Sequence, residues 1–348
     1  MQALTGIRVV EFEGIGPAPY CGMLLADLGA EVVRITRPSA DRGALIADTA
    51  DAVMQRGKRI LPLDLKTAEG LEAARAELAG ADALIEGLRP GAMERLGLGP
   101  AEVAELNPRL VYCRITGWGQ SGPLSRSAGH DINYIALSGA LAMMGPADRP
   151  PLPPANLVGD FGGGGLFAAF GILAGVIEAG RTGQGRVIDA AMLDGAVSQM
   201  GFLYSWAASG AWRPEREANL LDGAAPFYRC YTCACGGYVA VGAIEPAFFA
   251  AMMQGLELDP GAWDQTDRAD WPRLAETLAK AFAGQSRDHW AAHFAGTDAC
   301  VTPVLTMWEA ADHPHNRARG TLRGDPPQPA PGPRFGAGLA PRSDRQSG

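Results

Sequence analysis

The sequence predicts an α/β protein, with a large domain on a parallel sheet and a smaller α+β domain. Three observations carry this. Apolar strand-like runs alternate with helical runs over 1–205, the pattern of right-handed βαβ units. At 348 residues the chain exceeds one ordinary hydrophobic core. A polar, broken stretch at 206–224 then interrupts the alternation, and two strand-like runs follow it closely. The expected organisation is a Rossmann-like domain over 1–205, a linker over 206–224 and a small α+β domain over 225–304. The tail, 305–348, is expected to return to the large domain.

The first unit is a strand at 6–13, a Gly14-Ile15-Gly16-Pro17 turn, a helix at 20–28 ended by Gly29, and a strand at 31–36. A dinucleotide site is disfavoured. Pro17-Ala18-Pro19 stands where the third glycine is needed, and Arg37 rather than an acid follows the second strand. Arg37, Arg42, Arg56, Lys58, Arg59 and Lys66 gather in a chain of net charge −8. Basic groups at strand ends would suit a phosphorylated nucleotide; a solvated basic face explains the spacing equally well. A strand at 60–65, a helix at 67–79 and a strand at 83–86 lead into the Gly87-Leu88-Arg89-Pro90-Gly91 loop. That loop lies at a strand's carboxyl end, where open α/β sheets bind ligands.

Strands at 110–116 and 185–189 and helices at 134–144, 166–177 and 190–204 complete the large domain. The small domain reads as antiparallel strands at 227–231 and 237–241, helices at 247–256, 271–283 and 287–295, and a strand at 301–304. Beyond Gly320 the Pro-, Gly- and Arg-rich tail is not expected to fold by itself.

Composition narrows function. The acidic balance argues against nucleic acid. No run of about 18 apolar residues or signal-like N-terminus is evident, so no membrane is expected. Six cysteines in so long a chain suggest reduced thiols and a cytoplasmic location. No metal is expected either. Cys230, Cys233 and Cys235 lack a second ligand pair, and His289 and His293 lack the glutamate of a zinc-protease helix. His313 and His315 lie in a polar loop, and Ser121 lacks a strand–turn–helix setting.

Two stretches concentrate chemistry. Gly129-His130-Asp131-Ile132-Asn133-Tyr134 puts an imidazole on a turn before a helical run. Residues 156–165 carry Asp160 and then four consecutive glycines, Gly162 to Gly165, ahead of another helical run. A carboxylate near a helix start, flanked by glycines whose N–H groups can converge on an anion, could work with the imidazole to move a carbon-bound proton. A capping histidine with no catalytic part is the plainer alternative.

Further blocks decide between them. Val9-Val10-Glu11-Phe12-Glu13-Gly14, Leu63-Asp64-Leu65-Lys66, Arg89-Pro90-Gly91 and Gly117-Trp118-Gly119-Gln120-Ser121-Gly122-Pro123 resemble family III coenzyme A transferases. The stretches 129–134, 156–164, 221–228, 242–246 and 298–304 resemble the branch that racemises α-methylacyl-CoA thioesters. The match runs over 4–307. It implies an isomerase that interconverts (R)- and (S)-2-methylacyl-CoA through an enolate, with no metal or redox cofactor.

By this resemblance His130 and Asp160 are the two bases, and Glu245 orients His130 from the partner subunit of an interlocked homodimer. Arg37, Leu63, Asp64, Leu65, Lys66, Gly87, Arg89 and Arg95 would bind the coenzyme A nucleotide. Gly129, Asp131, Ile132, Asn133 and Tyr134 would line the thioester, and N–H groups about Gly162 and Gly163 would hold the enolate oxygen. Transferases of the family use the carboxylate matching Asp160 as a nucleophile and generally lack the histidine. A transferase and a non-catalytic acyl-CoA binding protein are the rival readings. Met143-Met144 and Met252-Met253 could form an acyl surface or simply pack the core.

Overall fold

The computed structural model describes residues 2–38 and 52–336, so Arg42 lies outside the described residues. Two compact units emerge, one of 1–115, 165–189 and 320–348, the other of 116–164 and 190–319. They do not coincide with the boundaries read from the sequence, because 116–164 and 190–205 group with the chain's second half.

The first unit begins with β1 (Arg8–Phe12), α1 (Pro17–Asp27), β2 (Glu31–Thr36), β3 (Lys58–Pro62), α2 (Ala68–Ala79) and β4 (Ala83–Glu86). Short helices α3 (Ala92–Arg95) and α4 (Pro100–Leu106) precede β5 (Val111–Thr116). β4 and β5 are buried along their whole length, as strands covered on both faces must be. With the later β6 the strands form a six-stranded sheet of order β3-β2-β1-β4-β5-β6. The β1–β2, β1–β4, β2–β3 and β4–β5 pairs are parallel. Parallel pairing brings the carboxyl ends of β1 to β5 to one edge, which is where a doubly wound sheet takes its ligand.

In the second unit, α5 (Asp131–Ser138) ends at Gly139 in the left-handed conformation, so the helical run expected over 134–144 is shorter and starts earlier. Residues Leu157–Leu166 are π-helical and run straight into α6 (Phe167–Thr182). The combined run, Leu157–Thr182, is apolar and long enough by composition to cross a membrane, with mean hydropathy 1.6, in contrast to the expectation that no such run exists. α6 buries Ala168, Ala169, Ile172, Gly175 and Ala179 in the first unit and exposes Leu166, Phe170 and Ile177.

After β6 (Val187–Ala191), the helix expected over 190–204 is two, α7 (Met192–Gln199) and α8 (Gly201–Ala208). The stretch read as a linker is tied down by Asn219. Its side chain is buried, accepts the Arg213 N–H at 2.7 Å and donates to Asp222 Oδ2 at 2.8 Å.

β7 (Tyr228–Thr232), β8 (Tyr238–Gly242), α9 (Pro246–Gly255), α10 (Trp271–Phe282), α11 (Arg287–His293) and β9 (Val301–Pro303) follow. The sheet β7-β8-β9 is antiparallel, and one hydrophobic cluster packs it against these helices, with Met252 and Met253 fully buried inside. That pair is core. Met143 and Met144 pack, half-buried, on a smaller cluster around Ile135 and Ala196. α12 (Met307–Asp312) and α13 (Pro314–Arg319) lead to a hairpin of β10 (Leu322–Arg323) and β11 (Gln328–Pro329). The tail, not expected to fold by itself, carries this hairpin with Arg56 Nη1 donating to the Pro329 carbonyl at 2.7 Å.

Candidate active site

His130 stands in extended conformation just before α5 and is exposed. Its backbone is fixed on both sides. The His130 N–H donates to Asn133 Oδ1 at 3.0 Å, and the buried Tyr134 hydroxyl donates to the Gly129 carbonyl. The Tyr134 ring stands edge-on to Trp118, and a Cβ at Gly129 would lie 2.8 Å from that ring. A Cβ at Gly117 would lie 2.0 Å from it. Asn133 and Tyr134, expected to line the thioester, therefore brace the histidine turn, and only glycine fits beneath the tyrosine.

Asp160 lies in the first turn of the π-helical run, half-buried. Asn156 Nδ2 donates to its Oδ2 at 3.1 Å, and the Asp160 N–H donates to Asp131 Oδ2 at 2.8 Å. Burial pushes the Asp160 carboxyl above the usual carboxylate range. The Asn156 hydrogen bond pulls it back, the Asp131 charge adds to the rise, and His130 lowers it. The imidazole thus acts on Asp160 electrostatically, and the Asp160 N–H bond to Asp131 joins the two turns. Asn156, one helical turn before Asp160, was not singled out from the sequence; an Asn four residues before an acid at a helix start was the available signal.

The glycines after Asp160 have a packing reason. A Cβ at Gly162 would meet Gln199 Oε1 at 2.7 Å, and one at Gly163 would meet the Ala196 nitrogen at 2.7 Å and the Met192 carbonyl at 2.9 Å. A Cβ at Gly195 would sit 1.9 Å from the Gly163 carbonyl, so α7 and the π-helical run touch backbone to backbone. The expected anion cradle is partly occupied, since the Asp160 N–H goes to Asp131 and the Phe161 N–H to the Asn156 carbonyl at 3.3 Å. By contrast the Asp131 and Ile132 N–H groups precede the first hydrogen bond of α5, which the Asn133 N–H makes to the His130 carbonyl. Ile132 is exposed beside them.

The residues expected to hold the nucleotide lie along the carboxyl edge of the first unit's sheet. Arg37 follows β2, is exposed, and pairs with Glu13 at 3.4 Å. After β3, Leu63 and Leu65 pack on the core, while Asp64 and Lys66 are exposed where Thr67 caps α2. Gly87, Arg89 and Arg95 follow β4, and all three are exposed. The wider basic cluster is divided, because three members besides Arg37 also serve internal pairs. Arg56 binds Asp27 at 2.6 Å, Arg59 binds Glu77 at 2.8 Å, and Lys58 is buried against Glu11 at 2.5 Å. Glu245, exposed at the start of α9, raises the Cys300 thiol after burial does. All six cysteines are free, and among the described residues no group of three or more His, Cys, Asp or Glu side chains could hold a metal.

Residues 4–345 match CoA-transferase family III. The chain belongs to that family. Among curated family III proteins it is 46% identical over 336 residues to the alpha-methylacyl-CoA racemase of Mus musculus, covering 95% of this chain and 86% of that one. It is 44% identical over the same coverage to the racemase of Homo sapiens. The succinyl-CoA:glutarate CoA-transferase of Mus musculus, also similar, is 29% identical over 88% of this chain and 73% of its own. A crystal structure of a CaiB/BaiF family protein from Brucella suis superposes with TM-score 0.82 at 27% identity, over 96% of this chain and 93% of that one.

Proposed function

We propose that this family III protein is an α-methylacyl-CoA racemase, an isomerase that inverts the α-carbon of 2-methylacyl-CoA thioesters. The observation that carries it is the hydrogen bond from the Asp160 N–H to Asp131, the residue after His130, which ties the carboxyl turn to the imidazole turn; burial raises the proton affinity of that carboxyl. The identity to two racemases, higher than to the transferase, points the same way. One base takes the α-proton, the C–H electrons move into the enolate, and the other group delivers its proton to the opposite face. The reaction balances with one proton shared between the two groups and needs no metal or redox cofactor. Burial raises the proton affinity of the Asp160 carboxyl, which suits it to give as well as take a proton at the α-carbon.

The first-turn N–H groups of Asp131 and Ile132, which make no hydrogen bond among the described residues, lie at the positive end of α5 and suit the enolate oxygen. The exposed arginines of the sheet's carboxyl edge suit the phosphates of coenzyme A. The active form is an interlocked homodimer in the cytoplasm. The apolar face of α6 (Leu166, Phe170 and Ile177) is covered by the second copy, and the partner subunit's Glu245 orients His130. A hydroxylamine trap tests the chemistry: no aspartyl hydroxamate forms at Asp160 during turnover, and added carboxylic acids accept no coenzyme A. Hydroxamate at Asp160 together with acid-dependent transfer would make the protein a transferase.

A further inference from the structure

Asp131 is an unusual residue to bury. It is the first residue of α5, directly after His130, and is only 6% exposed. Oδ2 accepts the Asp160 N–H at 2.8 Å, while Oδ1 is buried and makes no hydrogen bond among the described residues. No Lys or Arg pairs with it among those residues. The fit is close, because a Cβ on Gly159 would lie 2.4 Å from Oδ2 and 3.2 Å from Ile135 Cγ2. A carboxylate desolvated with one hydrogen bond and no basic partner is costly to keep. A neutral Asn would accept the same N–H without that cost.

We infer that Asp131 is the positioning residue of this site: its carboxylate fastens the Asp160 turn to the His130 turn and holds a second negative charge beside the Asp160 carboxyl. Both catalytic groups are then attached to one buried side chain, His130 through the chain itself and Asp160 through its N–H. The charge has a direction of effect. Facing Asp160 are His130 and Asp131 from the start of α5, Tyr134 one turn on, and Asn156 from the turn just before its own helix. Burial opposes ionisation most; Asn156 and His130 favour the ionised carboxyl, and the Asp131 charge adds to the opposition. This account rests on the racemase reading for the use of the proton, not for the geometry.

The test separates the two. In protein carrying 13Cγ-labelled aspartate, the Asp160 carboxyl is assigned by its loss in Asp160→Asn and titrated by NMR. Asp131→Asn keeps an oxygen for the Asp160 N–H and removes only the charge, so the Asp160 midpoint moves to lower pH, and the acid limb of α-deuterium exchange moves with it. Asp131→Ala also releases the turn, and exchange falls about 100-fold, the scale of a 1 Å misplacement. An unmoved Asp160 midpoint in Asp131→Asn, or wild-type exchange in Asp131→Ala, would overturn the inference. A moved midpoint in a protein that exchanges no α-proton would leave Asp131 in this role and remove the racemase reading instead.

Discussion

Arg114→Met tests how the nucleotide-binding edge is held. Arg114, near the end of β5, is 6% exposed and bridges two acids. Its Nε donates to Glu86 Oε1 at 2.8 Å, and its Nη1 and Nη2 donate to Glu94 Oε1 and Oε2 at 2.8 and 3.3 Å. Glu86 is fully buried and accepts the Leu88 N–H at 2.7 Å on its other oxygen, so the pair staples the 87–95 segment that carries Arg89 and Arg95.

Methionine matches much of the arginine's volume and leaves Glu86 with one hydrogen bond. Deleting one partner of a buried pair costs about 3–5 kcal/mol. The low end applies, because Glu94 is 40% exposed and regains water. About 3 kcal/mol lowers Tm by about 6–12 °C at 2–4 °C per kcal/mol. The loss is pH-dependent. Burial raises Glu86, so folding favours its protonated form, and stability falls as pH rises through its folded-state value. Arg114 lowers that value, so in the variant the fall is deeper at high pH, and the two proteins converge as pH falls and Glu86 takes up its proton in both. Denaturant titrations across pH read this directly, and KM for the thioester rises more than kcat falls. A destabilisation of the same size at every pH, or none, would refute the reasoning.

Two further perturbations follow from the contacts. Gly163→Ala drives a methyl into α7 backbone and costs about 1–3 kcal/mol in a thermal melt. Gly180→Ala, with nothing within 4 Å of its Cβ and an exposed place on α6, gains about 0.5–1 kcal/mol instead. Asn156→Ala removes the hydrogen bond that favours the ionised Asp160, so the acid limb of the exchange profile moves to higher pH.

The parallel sheet was legible because its strands are continuous apolar runs separated by glycine turns and helical periods. The π-helical start of α6 was not. Each of the four glycines disfavours a helix, and close neighbours account for three of them, α7 against Gly162 and Gly163 and α1 against Gly165. Nor does charge along the chain reveal its partner: Arg56, Lys58 and Arg59 read as one basic patch, yet Asp27, Glu11 and Glu77 claim them across the fold. His130 and Asp160 were legible as chemistry by residue type. The neighbours that tune them, Asp131 and Asn156, became so only when two segments 29 residues apart were seen joined by one hydrogen bond.

The most direct test of the two-base account is incubation of one enantiomer of a 2-methylacyl-CoA in deuterated water, with α-deuterium and chirality followed by NMR. The account predicts deuterium entering as chirality is lost, with both processes abolished in His130→Ala and in Asp160→Asn. Retention of chirality and of the α-proton by the unaltered protein would contradict it.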